Sequence, residues 1–461
     1  MHPNVTFGGG LSESFMSPVV AALMLVTMAL VFLLPRNRVA IPFLVFTFLT
    51  PLSQQVFVGG VHLFAQRLVT VCGLVRYLLG SKRLTGGFNR LDKLFLLWAV
   101  CRAGAFVLLF HEGGAVVNQA GFLIDAIGGY LFVRYLIRDE SDIRLVARVL
   151  VVIAFVMAAC MLYEHVAKAN VFSLLFGGQI APHVRNGKIR SHGVFLQEIL
   201  ASAFGGTLPP LFLWLCRGGR SKIGALVGVV SSAVITVTSS SSTGVSAFIV
   251  GVVALLLWPL RKHMRPIRWG IVAAIAGLAM VMKAPVWYII ARVDFAGGST
   301  GWDRAFLIDQ FIRHFSDWWL IGTHDNASWG DFTWDQCNQF VAEGETGGLV
   351  TLTLFIMIIS WSFSKIGIAR KVAGACGTKG REWLLWTMGA TLCAHIAAFM
   401  GISYFDQTKV WWFVTLAIIS VVTVGEERSH VTPGTAVADD ELGVQTPAGA
   451  FTGYFPLARD V

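Results

Sequence analysis

Apolar runs long enough to cross a bilayer recur from about residue 16 to about residue 425, and charged residues are almost confined to the gaps between them. The runs fall at about 16–34, 41–58, 62–79, 94–110, 116–136, 146–163, 196–215, 223–238, 243–260, 269–283, 347–364, 383–402 and 410–425. With roughly 20 residues needed per helical crossing, they predict about 11–13 spans. The second run, broken by Pro51 and Gln54/Gln55, and the third, holding Arg67 and Arg76, are the weakest. Apolar side chains make up 55% of the 461 residues and charged ones only 13%, about half the share of a soluble domain. A single-core soluble enzyme is excluded, because such a chain would have too little polar surface to meet water. The expected fold is all-α: a polytopic transmembrane helix bundle.

The formal net charge of +10 comes from 36 Lys and Arg against 26 Asp and Glu. In a membrane chain such an excess marks cytoplasmic loops rather than a nucleic-acid partner. One set of alternate loops carries Arg36/Arg38, Lys82/Arg83/Arg90/Lys93, Arg138/Arg144, Arg217/Arg220/Lys222, Arg261/Lys262/Arg265/Arg268 and Lys365/Arg370/Lys371/Lys379/Arg381. The opposite set is short or poor in cations, apart from two longer segments. The positive-inside rule therefore puts the N-terminus outside and the C-terminus in the cytoplasm. The expected organisation is N-terminal transmembrane helices over 1–163, a smaller outer-face loop over 164–195, and further helices over 196–283. A large outer-face loop over 284–346, C-terminal helices over 347–425 and a polar, disordered cytoplasmic tail over 426–461 complete it. The seven cysteines form no C-x-x-C pair and no metal spacing with histidine, so neither a disulfide framework nor a metal site is expected. The N-terminus lacks the cationic region and the cleavage site of a removable signal peptide.

Function in such a chain is sought where polar groups persist against the apolar trend. The large outer segment is rich in tryptophan, as an aromatic belt at headgroup height would be. Tryptophans could equally offer a surface for sugar faces or a prenyl chain. Within it, Trp302–Trp319 plots as an amphipathic interfacial helix. Leu307, Ile308, Phe311, Ile312, Phe315, Trp318 and Trp319 share one face, opposite Asp303, Asp309, Gln310, Arg313, His314 and Asp317. Arg304 projects into the apolar face, where a guanidinium is costly without an anionic partner. It pairs with a nearby Asp, snorkels, or grips a phosphate, for which the planar fork is suited. The smaller outer segment holds Arg185, Lys188 and Arg190 against the charge bias, with Glu198 just inside the next span as a potential ion-pair partner. Hydroxyls of Thr238–Thr243 can meet phosphates or sugars, or simply satisfy helix ends. Asp335, Asn338, Gln339, Glu343 and Glu345 stand at the next water–membrane boundary, where carboxylates and carboxamides could hold and deprotonate a sugar hydroxyl.

The order of these features resembles the O-antigen ligase and O-antigen polymerase superfamily of bacterial envelope glycosyltransferases. It runs from Arg190-Ser-His-Gly193-Val-Phe195 before a span, through the Ser-rich turn followed by Gly244, to the Arg304-bearing helix. Ile321-Gly322 follows, then Asn338-Gln-Phe340, Glu343-Gly344 and Gly347-Gly348 entering a span. The resemblance covers about residues 120–365. It implies a GT-C-like membrane glycosyltransferase of the bacterial inner membrane, with no metal or other cofactor. Such enzymes move a glycan from an undecaprenyl-pyrophosphate carrier to a glycan or lipid acceptor at the outer face, alongside other polysaccharide assembly proteins. By motif Arg190 and Arg304 would bind the pyrophosphate, with Asn338 and Gln339 at the substrate. The ligases carry a His just before the Asn; here Cys337 stands there, and a thiol near pKa 8.5 is a poor base at neutral pH. Asp335, Glu343 or His324 would then have to act as base. Thr243 stands where the ligases often carry an Arg after the Ser run. Both departures point away from a ligase and toward a polymerase-like or less characterised branch that makes exopolysaccharide. A transporter or flippase using Arg67, Arg102 and Asp125, and a non-catalytic assembly component, remain as alternatives.

Overall fold

The computed structural model describes residues 14–424, apart from 60, 81–83, 178–182, 186, 219–221, 293–300, 331–332 and 334–336. The expected cytoplasmic tail therefore lies outside the described residues, as does Asp335. The described chain is overwhelmingly helical. Its first half contains α1 (Pro18–Leu33), α2 (Arg36–Leu49), α3 (Ala65–Leu79), α4 (Arg90–Phe110), α5 (Gly113–Leu123), α6 (Gly129–Leu136), α7 (Glu140–Ala167) and α8 (Val171–Phe176). Then come α9 (Glu198–Thr207), α10 (Pro209–Leu215), α11 (Lys222–Thr238), α12 (Ser242–Leu256) and α13 (Met264–Val281). The last are α14 (Gly301–Arg313), α15 (Phe315–Trp318), α16 (Gln339–Ala375), α17 (Lys379–Phe399) and α18 (Thr408–Val422). Two small antiparallel hairpins complete the chain: β1 (Gln55–Val58) with β2 (Val61–Phe64), and β3 (His183–Arg185) with β4 (Lys188–Arg190).

Among the described residues, six helical stretches are long and apolar enough to cross a membrane: Arg90–Phe110, Gly113–Leu136, Glu140–Ala167, Glu198–Leu215, Trp258–Val281 and Gln339–Ala375. Together they suggest a multi-pass membrane protein. α1, α11, α12 and α18 are apolar but shorter. The run expected at 41–58 is not one helix. α2 ends at Leu49, and Pro51, which cannot continue a helix, precedes the turn into β1. Local chemistry explains several other boundaries. Asn89 and Asp92 form a reciprocal capping box at the start of α4, with both bonds at 2.9 Å. Asp139 caps α7 through Ser141 N (2.9 Å) and Asp142 N (3.0 Å).

α7 packs along α11, α12 along α17 and α9, and α4 along α16, around one continuous apolar core. Charges inside this core are paired. Asp92 accepts from Tyr130 Oη at 2.5 Å and lies 3.4 Å from Arg134 Nε, and both ions are fully buried. A single π-helical turn, Ile124–Gly128, joins α5 to α6 and holds Asp125 against a bidentate Arg67 at 3.0 and 2.8 Å.

Candidate functional site

The Arg190-Ser-His-Gly-Val-Phe segment is fastened at almost every residue. β4 ends at Arg190, whose guanidinium forms an ion pair with Glu198 Oε1 in the first turn of α9. The other Glu198 oxygen takes His183 Nδ1 at 2.9 Å from the facing strand. Ser191 N donates to Thr238 O at 3.1 Å, tying the segment to the Ser-rich turn. Gly193 N donates to Glu164 Oε2 at 2.9 Å, and the His192 ring lies 3.7 Å from the same carboxylate. Gly193 adopts φ +59, and a side chain there would run into Met157 Sδ at 2.6 Å. Phe195 is buried in the core, and Leu196 N reaches Asp406 Oδ2 at 3.4 Å.

Arg304 lies in the first turn of α14 and shares its buried side with Leu307 and Phe311, as its place on the apolar face anticipated. Burial draws the Arg190 guanidinium below the ordinary arginine range, and the Glu198 carboxylate opposes this. Arg185 and Arg304 add like-charge repulsion, and the Cys337 thiol opposes it. Arg190 is therefore within electrostatic reach of both Arg304 and Cys337, although 114 residues separate the two arginines in sequence.

A path of contacts leads from the 190–195 segment to Asn338. From Ser191 it passes to the turn after α11, where Thr238 and Ser239 return their hydroxyls to their own helix (2.8 and 2.7 Å). Ser240 takes φ +47 to make the bend. Thr243 lies against Gly401, and the neighbouring Met400 Sδ receives Asn338 Nδ2 at 3.9 Å. Cys337 precedes Asn338 in the chain. Along this path the hydroxyls of Ser191, Ser241 and Thr243 are buried without a hydrogen-bond partner among the described residues. Part of the serine run thus caps a helix end, and part is left to meet something else.

The remaining candidates lie elsewhere or are already engaged. Asn338 caps α16 by accepting from Phe340 N (2.9 Å) and Val341 N (3.3 Å). Gln339 accepts from Tyr404 N at 2.7 Å and donates to Glu343 Oε1 at 2.7 Å. Glu343 is turned into the bundle, 1% exposed, where Trp98 Nε1 donates to it at 2.9 Å and Arg102 Nε stands 3.6 Å away. His324 is exposed and sets its ring against Phe110 at 4.7 Å. Phe110 is eight residues beyond Arg102 on α4, about 12 Å along the axis, so His324 and Glu343 sit at different depths.

The expected amphipathic helix over Trp302–Trp319 is not a single rod. It breaks at His314, and Trp318 folds back to stack on Phe311 at 3.9 Å and donate to its carbonyl at 2.7 Å. Phe311 and Trp318 pack on Gly344, where a side chain would meet the Trp318 ring at 3.0 Å. Next to them Gly322 (φ +98) lies on the Glu345 backbone, and Thr323 N donates to Glu345 O at 2.9 Å. The Ile-Gly and Glu-Gly…Gly-Gly motifs are thus two halves of one docking surface. Glu164 and Met400 were not singled out by sequence reasoning. A lone carboxylate at the end of an apolar run was the available signal for Glu164; nothing local marked Met400. No protein-family model matches the chain, and no curated protein matches it.

Proposed function

We propose that the protein is an inner-membrane glycosyltransferase that polymerises or ligates polysaccharide units from a polyprenyl-pyrophosphate-linked donor at the outer face. The observation that carries this reading is that Arg190, held by Glu198 and near enough to Arg304 to be repelled by it, adjoins Ser191, whose buried hydroxyl has no partner among the described residues. As the anomeric carbon of the donor develops positive charge, the departing diphosphate takes up negative charge. Fixed guanidiniums lower that barrier by several kcal/mol. Ser191, Ser241 and Thr243 add neutral donors for phosphate or glycan oxygens. The acceptor hydroxyl needs a base, worth about 10²–10⁴-fold. Glu343 is enclosed by Trp98, Gln339 and Arg102, which suits holding the start of α16 better than meeting an acceptor. His324 and Asp335 are then the bases to test first. A GT-C-like architecture, 11–13 spans, and an outer-facing N-terminus with a cytoplasmic C-terminus belong to the same reading.

The groups that a transporter would use are paired with one another. Arg67 and Lys409 share Asp125, and Arg102 faces Glu343. That arrangement supports a static scaffold rather than a moving carrier. The test is the glycan size profile of a deletion strain complemented with Arg190→Ala or Arg304→Ala. Loss of polymer with the protein still present in the membrane is expected, along with short lipid-linked units on the outer side. Normal polymer from both variants overturns the assignment, and accumulation on the inner side shifts it to a flippase.

A further inference from the structure

At the other end of the bundle, on the face that the charge bias makes cytoplasmic, arginines and tryptophans from four separate segments meet around one carboxylate. Glu382, in the first turn of α17, is 8% exposed and receives Arg261 Nε at 2.9 Å, with Arg370 Nη1 at 3.7 Å. Arg268 is near enough to Arg370 to repel it, as is Arg261. Arg217 completes the group, over the rings of Trp383 (5.0 Å) and Trp258 (5.5 Å). Arg261 lies over Trp258 at 4.1 Å and Arg370 over Trp386 at 5.6 Å. The indoles themselves pack edge to face, Trp258 against Trp383 at 5.0 Å.

Among the described residues, four guanidiniums gather around one carboxylate, an excess of positive charge within the cluster. The aromatic faces stabilise the cations but cannot neutralise them. α13 starts beside it at Met264, belongs to a stretch long and apolar enough to cross a membrane, and is exposed along its length, as a helix facing lipid would be. Tryptophan and arginine together mark headgroup height, and basic pockets between helices on that face suit anionic headgroups.

We propose that this arginine–tryptophan cluster is a binding site for the headgroup of an anionic phospholipid of the cytoplasmic leaflet. The lipid phosphate would supply the charge that Glu382 does not, and its acyl chains would lie along α13. The test uses the full chain, delipidated in neutral detergent, with phosphatidylglycerol or phosphatidylcholine added back and binding read by native mass spectrometry and thermal unfolding. Phosphatidylglycerol is expected to be retained and to raise the unfolding temperature, and phosphatidylcholine to do neither.

Arg217→Gln with Arg268→Gln removes two charges without stripping Glu382 of its partners. It should weaken phosphatidylglycerol binding by at least about tenfold, at about 1 kcal/mol per basic residue near an anionic surface. The equally discharged pair Arg90→Gln with Lys93→Gln, elsewhere on that face, should leave it unchanged. Should the double variant fail to fold, Arg268→Gln alone keeps the test, since its side chain projects from the exposed start of α13. Equal binding of the two lipids, equal loss in the control pair, or inorganic phosphate stabilising as well as the lipid each overturns the proposal.

Discussion

Asp406 shows how much of this protein is decided by single buried polar side chains. It is fully buried, accepts from Thr408 N (2.8 Å) and Thr408 Oγ1 (2.7 Å), and is also reached by Leu196 N. Burial pushes its carboxyl above the ordinary range, against the pull of those bonds and of Lys409. The folded protein therefore holds this proton more tightly than the unfolded chain does. Stability from this group is present at low pH and lost as pH rises from about 4, the ordinary carboxylate value, through the raised folded value. Asp406→Asn should flatten that slope without lowering the unfolding temperature at neutral pH; a slope unchanged in thermal melts across this window contradicts the account. Some residue-level facts could be read from sequence. Arg304 on an apolar face announced a buried cation, and Glu198 was a visible partner for Arg190. The inward turn of Glu343 was not legible, because its direction is set by Trp98, 245 residues away in the chain.

Among the elements, α16 carries the most consequence. Gly348 interrupts it with φ +70 and ψ −169, a conformation essentially reserved for glycine. The break frees Leu349 N to donate to Trp319 O at 2.8 Å and brings the Leu320 carbonyl against the Gly348 Cα. The kink is thus how the 319–323 turn is docked on α16. Gly348→Ala should cost about 1–3 kcal/mol and release the 319–323 turn from α16. Limited proteolysis of that turn, slow in the native protein and fast in the variant, would report it. A variant as resistant as the parent would mean that the docking does not depend on the break. Gly-Gly entering an apolar run was visible in sequence. That it marks a docked turn rather than a flexible hinge was not, since its partner turn is supplied by a different element. The break of the expected amphipathic helix at His314 has the same origin: Trp318 gains more by stacking on Phe311 than by continuing the helix.

For the whole molecule, the outward apolar residues of α1, α7, α11 and α13 form a surface that water would not tolerate. Leu25, Val152, Ile223 and Met280 are all more than half exposed. The orientation expected from the basic loops can be read with native Cys376, exposed in the α16–α17 turn, and with Lys168→Cys at the end of α7. A membrane-impermeant maleimide on intact cells should label Lys168→Cys in a Cys376→Ser background, and should reach Cys376 only after permeabilisation. The reverse pattern would invert the topology and move Arg190 and Arg304 to the cytoplasmic side. Apolar run length and the bias of Lys and Arg were enough to establish an all-α chain with long apolar helices, because burial in lipid demands satisfied backbones and few charges whatever the helices touch. Which polar groups meet was decided only by tertiary structure. The depth and rotation of each helix come from its neighbours, so nothing local distinguishes Arg190, brought near Arg304, from Arg134, which meets Asp92 inside the bundle.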